Sequence, residues 1–139
     1  IFAKAGLKRV ALLGSQFQEL NWMIPAPAQG AIGIICRTDQ VRVLNSVKSI
    51  NDQATGICVK IEREFLRLLE GGCTAPIGAF AQIDGDKILF EGGLFSLDGK
   101  KAITIQHQGR VSKASLMASK AVKEILSKGG DRLMETIRQ

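Results

Sequence analysis

The stretch IGAFAQIDGDKILFEGGLFSLDGKKAITIQHQ, residues 77–108, holds three apolar-rich runs, 77–83, 87–95 and 101–108, parted by Asp84-Gly85 and Asp98-Gly99. Asp-Gly between apolar runs is a strong hairpin signal, because glycine takes the positive φ of a tight turn without steric cost. The runs therefore predict an antiparallel meander. On its N-terminal side, Asn51 or Asp52 can cap a helix running to Glu70. Ala54, Ile57, Cys58, Ile61, Phe65, Leu68 and Leu69 fall on an inner face of that helix, and Lys60, Glu62, Arg63, Glu64 and Arg67 mostly on the outer one. On the C-terminal side, Ser112 can cap a second helix with Ala114, Met117, Ala118, Ala121, Val122 and Ile125 inward, stopped by Gly129-Gly130. Asp131 then opens a short last helix through Leu133, Met134 and Ile137. Helices on one face of a three-stranded antiparallel sheet make an α+β domain, here over residues 50–139.

Residues 1–49 read differently, as an incomplete α/β fragment of preceding domains together with a hinge. Ile1 to Lys4 suits the tail of a strand, Gly6 to Leu13 a short helix or turn, and Phe17 to Ile24 is apolar and carries the sole tryptophan, Trp22. Pro25-Ala26-Pro27-Ala28-Gln29-Gly30 interrupts regular structure, after which Ala31 to Cys36 resumes as a continuous apolar run of the kind found in a strand buried on both faces. Such a strand needs neighbours that this segment does not contain. Residues 1–40 are accordingly expected to be disordered or satisfied by self-association, while 50–139 fold independently.

The 139 residues are 45% hydrophobic and only 5% aromatic, a globular composition without the stacking surface of a single-strand nucleic-acid binder. The net charge of +6 favours an anionic partner, but the basic residues are scattered and small carboxylates fit as well as phosphates. Three widely spaced cysteines form neither a disulfide framework nor a zinc site, and no apolar stretch reaches the length of a bilayer span. The opening Ile1-Phe2-Ala3-Lys4 does not read as a signal peptide. These features set the expectation of a soluble, cytoplasmic protein without nucleic-acid or membrane partners.

The thiols are not equivalent. Cys58 lies at helical spacing with Ile61, Phe65 and Leu69, and Cys36 ends the apolar run from Ala31, so both read as core. Cys73 follows Gly71-Gly72 on a tight turn between helix and strand, with Pro76 stiffening the exit. That placement suits a thiol that holds something; an ordinary glycine helix stop with a small buried side chain is the plainer reading of the same local pattern. A helix C-terminus disfavours thiolate, and the only histidine, His107, falls on a later strand, where it reads as a satisfied side chain. Cys73 is thus better placed as a tether than as a hydrolytic nucleophile, which would need a base and an oxyanion hole.

Four motifs stand in order: Ala5-Gly6-Leu7-Lys8-Arg9, Pro27-Ala28-Gln29-Gly30-Ala31-Ile32-Gly33-Ile34, Glu62-Arg63-Glu64-Phe65-Leu66, and Leu69-Glu70-Gly71-Gly72-Cys73-Thr74-Ala75-Pro76-Ile77-Gly78-Ala79. Together with the hairpins and terminal helices they resemble, over the whole chain, the C-terminal part of porphobilinogen deaminases, the hydroxymethylbilane synthases. The resemblance implies a transferase of tetrapyrrole and heme biosynthesis whose dipyrromethane cofactor is held by a thioether to the loop cysteine, here Cys73, with Gly72 and Thr74 beside it. Four porphobilinogen units would be condensed on that cofactor with loss of ammonia, and the linear product released by hydrolysis. Arg9 matches a family arginine that grips substrate carboxylates, a role suited to a planar guanidinium fork. Gln29 and Gly30 match the family's hinge between its earlier domains, and Ile35 departs from an acidic residue common at its position.

The same resemblance assigns the catalytic aspartate and most carboxylate-binding arginines to the two earlier domains, so no catalytic residue is expected in this chain and the isolated chain is expected to be inactive. Partners implied are porphobilinogen, polypyrrole intermediates and the N-terminal domains of the same enzyme. Two other readings compete. A non-catalytic basic α+β binding module for an anionic ligand or RNA predicts salt-sensitive binding indifferent to Cys73→Ser. A redox switch at Cys73 predicts reversible oxidation.

Overall fold

A computed structural model describes residues 2–12, 14, 16–69 and 75–138. Its helices are α1 (Lys4–Arg9), α2 (Val41–Lys48), α3 (Gln53–Leu68), α4 (Met117–Ile125) and α5 (Asp131–Arg138). The strands are β1 (Ile77–Asp84), β2 (Lys87–Phe95) and β3 (Ala102–Arg110).

The predicted meander forms, with strand order β1-β2-β3 and both pairings antiparallel. Gly85 (φ 59°) and Gly99 (φ 70°) supply the left-handed turn residues that the two Asp-Gly pairs call for. In the second turn Ser96 Oγ donates to Asp98 Oδ1 (2.6 Å) and the Lys100 N–H donates to the same oxygen (3.1 Å), which lowers the Asp98 pKa. Alternation within the strands sends Ala79, Ala81, Ile88, Phe90, Leu94 and Ile105 to one face, where α3 lies over β1 and α4 over β3. Phe65 of α3, fully buried, meets Phe90 edge-on with ring centroids 5.2 Å apart. Burying one such ring stabilises by about 1.5–3 kcal/mol. Gly92 leaves the room this contact needs, since a Cβ there would stand 2.8 Å from the Phe65 ring.

Asp52 is the α3 cap, its carboxylate accepting the Thr55 N–H at 2.6 Å, and that bond holds the carboxyl below the usual range. A depressed folded-state pKa stabilises fully above the unfolded value of about 4 and loses that contribution as pH falls through the folded value. Asp52→Ala is therefore expected to be less stable than wild type at pH 7, with the difference shrinking toward pH 2.5 in urea unfolding; a constant difference would contradict the assignment.

Several expectations are corrected. Glu62, read as outward, is buried (6% exposed) on the core side of α3, because its carboxylate has backbone donors there. Ala54, read as inward, is exposed in the first turn of α3, ahead of the stretch that meets the sheet. Ser112 caps nothing: the chain leaves β3 through a 3₁₀ segment, Val111–Leu116, anchored by the Val111 N–H to Asp86 O (3.0 Å), and α4 begins only at Met117. Ala31 to Cys36 forms no strand; Ile32 and Ile35 are 94% and 97% exposed and Cys36 is only half-buried, since among the described residues no strand stands beside the run. Lys4, read as the end of a strand, instead opens α1, where Lys4 pairs with Glu19. No described residue before Cys58 is buried. α2 is not among the expected elements, although its Val41, Leu44 and Val47 recur at helical spacing.

Candidate functional site

Two features of the fold bear on the Cys73 loop, although Glu70, Gly71, Gly72, Cys73 and Thr74 themselves lie outside the described residues. At its start, Leu69 ends α3 with its side chain buried (3% exposed) and its N–H donating to Phe65 O at 3.1 Å. At its end, the Ile77 N–H donates to Ala75 O (2.8 Å) and the Phe95 N–H to Pro76 O (2.9 Å), so the chain is tied to β2 before β1 begins. Five residues thus span two fixed points of the core. Their anchoring follows from local sequence: Leu69 continues the apolar stripe of α3, and Pro76, lacking an N–H, contributes only its carbonyl to the sheet.

The second feature is Glu62. β1 is an edge strand, and its outward N–H groups need acceptors. Glu62 Oε1 accepts the Ala81 N–H (2.8 Å), Glu62 Oε2 accepts the Ala28 N–H (2.7 Å), and the Ala79 N–H donates to Pro25 O (2.9 Å). One buried carboxylate therefore fastens the Pro25–Gly30 connection to the edge of the sheet, with both oxygens occupied. Ile24 completes the attachment over the opposite sheet face, where a Cβ at Gly78 would come within 3.0 Å of it. The signal for Glu62 was present in the sequence: it interrupts the stripe Cys58, Ile61, Phe65, Leu69, and a carboxylate inside an apolar stripe needs donors.

Gln29 sits in this docked connection, but its side chain closes its own turn, Oε1 accepting the Ala26 N–H at 3.3 Å. Left-handed Ala28 (φ 60°) and Gly30 (φ 84°) bracket it. Beside them a recess of about 330 Å³ is lined by residues that include Gln29, Cys58, Glu62 and Phe80. Arg9 stands apart on the last turn of α1, exposed, and no hydrogen bond or ion pair joins it to Gln29. The Cys58 thiol is buried, and desolvation, followed by the Glu62 charge, pushes its pKa up, so it is a poor nucleophile. His107 lies half-buried on β3, but the expectation of a satisfied side chain is not met: its buried Nε2 stands 3.0 Å from Glu124 Oε2 without being aligned for a hydrogen bond. Lys128, 2.8 Å from Glu124 Oε1, is the main cause of that carboxyl's lowered pKa.

Comparison with known proteins gives two family matches in register with these parts. Residues 56–127 match the family described as "Porphobilinogen deaminase, C-terminal domain", and residues 1–45 match "Porphobilinogen deaminase, dipyromethane cofactor binding domain". Among similar proteins, the porphobilinogen deaminase of Macrococcus caseolyticus is 35% identical over 142 residues, covering 100% of this chain and 46% of the relative. That of Alkaliphilus metalliredigens is 35% identical over 139 residues (99% and 44%), and that of a Roseiflexus species 37% over 136 residues (96% and 45%). The chain spans somewhat under half the length of these relatives. With a family match over more than half its length, a second match over its first third, and alignment to relatives from end to end, the chain belongs to the porphobilinogen deaminase family.

Proposed function

We propose that this chain is the C-terminal part of a hydroxymethylbilane synthase, working with N-terminal domains of the same enzyme on porphobilinogen and its polypyrrole products, and that Cys73 carries the dipyrromethane cofactor as a thioether. The observation that carries the reading is a single thiol on a five-residue span tied to the core at both ends, within a chain matched to both the cofactor-binding and the C-terminal domains of this family. The donor set fits the group: a tether needs one thiol and stable ends, and the described neighbourhood supplies fixed ends. When bound, dipyrromethane supplies the pyrrole primer to which porphobilinogen units add.

The chain's own residues then hold and position. Cys73 fixes the attachment point, with Gly72 and Thr74 beside it in the sequence. Glu62 locks the domain built on 50–139 to the Pro25–Gly30 hinge through the Ala81 and Ala28 N–H groups. Arg9 offers a guanidinium to acetate or propionate groups, in keeping with its exposure and its lack of a partner among the described residues. Gln29 shapes the hinge turn. No group here serves as the general acid or base, which belongs to the N-terminal domains, so the chain by itself is expected to be inactive.

The test is intact mass and peptide mapping of the full-length protein from cells that make porphobilinogen, alongside the 139-residue chain. The expected result is a dipyrromethane adduct on the Cys73 peptide of the full-length protein. A free, alkylatable Cys73 in an active preparation would refute the tether.

A further inference from the structure

A cleft of about 700 Å³ opens between the β2–β3 connection and α5, away from the Glu62 edge of the sheet. Its making is local. Gly129, at φ 92°, reverses the chain after α4 in the wide turn Leu126–Gly130, so that α5 comes back toward the free edge of β3. A side chain at Gly129 would be strained in that conformation. The reversal brings Lys128, before the bend, and Arg132, after it, to line the same cleft as Lys100 and Lys101 of the Asp98-Gly99 turn. Ile103 and Leu133 give the floor its apolar character, Leu133 being buried and Ile103 half-buried.

The charges do not cancel. Four cations line the cleft against one carboxylate, Asp98. Lys100 shares Asp98 at 3.6 Å, and Lys128 is held by Glu124 at 2.8 Å and points toward Thr104 O of the β3 edge at 3.5 Å. Lys101 and Arg132 have no carboxylate within ion-pairing distance among the described residues. Two uncompensated cations above an apolar floor form a site for two negative charges joined by an apolar body. The volume is that of a small-molecule pocket, roughly 300–1,000 Å³. Phosphate or another compact anion would leave the isoleucine and leucine surface wet and would gain nothing from it.

We propose that this cleft binds an amphiphilic dianion, a small molecule with a flat apolar body and two carboxylates that engage Lys101 and Arg132. Arg132 supplies the bidentate, orienting contact and Lys101 the point charge. The site is independent of any attachment at Cys73.

The test is titration of the 139-residue chain with 2,6-naphthalenedicarboxylate, read by backbone amide shifts in NMR. Saturable shifts centred on Lys101, Ile103, Gly129 and Arg132 are expected. Arg132→Gln and Lys101→Gln should each weaken binding about tenfold, and the monoacid 2-naphthoate should bind wild type more weakly by a similar factor. Both replaced side chains are at the surface, and Lys113→Gln, outside the cleft, should change nothing. The proposal is overturned by non-saturating shifts, by shifts centred on the apolar segment 17–24, by unchanged affinity in Arg132→Gln, or by pyrophosphate binding as tightly as the dicarboxylate.

Discussion

Cys73→Ser is expected to strip all covalently bound dipyrromethane from the full-length protein and to lower its rate of polypyrrole formation by about a thousandfold or more. A serine hydroxyl is un-ionised at neutral pH and far less nucleophilic than sulfur, so the attachment that a thiol makes with modest activation does not form. The other cysteines provide the contrast. Cys58→Ser places a hydroxyl in the core and should cost stability, yet it should leave the adduct in place, because the buried Cys58 thiol, with its raised pKa, takes no part in attachment. Cys36→Ser, at a half-buried position in an unpaired segment, should be silent in both respects. Intact mass of the three variants decides the matter: an adduct persisting in Cys73→Ser, or vanishing in Cys58→Ser while the fold is retained, would remove Cys73 from its proposed role.

The second large effect is expected at Glu62. Glu62→Ala orphans the Ala81 and Ala28 N–H groups together, and with two charge-assisted bonds lost, the cost is about 3–4 kcal/mol in urea unfolding. Glu62→Gln should fall between the two, since an amide oxygen can accept one N–H while its NH₂ group turns unfavourably toward the other. Hydrogen exchange adds the local reading: the Ala28 and Ala79 amides should lose protection in Glu62→Ala at denaturant concentrations where β2 and β3 remain protected. A change within about 0.5 kcal/mol would show that the carboxylate is dispensable, as it is for ordinary surface substitutions. In the full-length protein the same variant should loosen the Pro25–Gly30 connection from the sheet edge, a defect separable from loss of the cofactor because the proposed Cys73 adduct would persist.

The elements legible in the sequence are those whose causes are local. Asp84-Gly85 and Asp98-Gly99 place both turns of the meander, and the strands bounded by them appear within two residues of their predicted ends. Asp52 caps α3 as its position suggests, and the stripe Cys58, Ile61, Phe65, Leu69 reaches the core as 3.6-residue periodicity requires. Ser112 misleads because a capping residue type is no cap unless the chain turns helical immediately after it; the Val111 tie to Asp86 makes the chain turn first. The site is only partly legible: the motif order points to Cys73, whereas Gln29 bonds within its own turn, to the Ala26 N–H, and Arg9 is exposed on α1, so neither shows a contact with the loop.

From its amino-acid order alone, this protein has a helix, a three-stranded meander and two further helices, and it carries the motifs of its family, because periodicity, turn glycines and caps act over a few residues. Tertiary structure turns Glu62 from an outer-face charge into the fastener of the Pro25–Gly30 connection, since that depends on the Ala81 and Ala28 donors brought to it from 19 and 34 residues away. It likewise leaves Ala31 to Ile35 without regular structure and exposed, because a strand is stabilised by the hydrogen bonds and faces of its neighbours and, among the described residues, none lies beside this run.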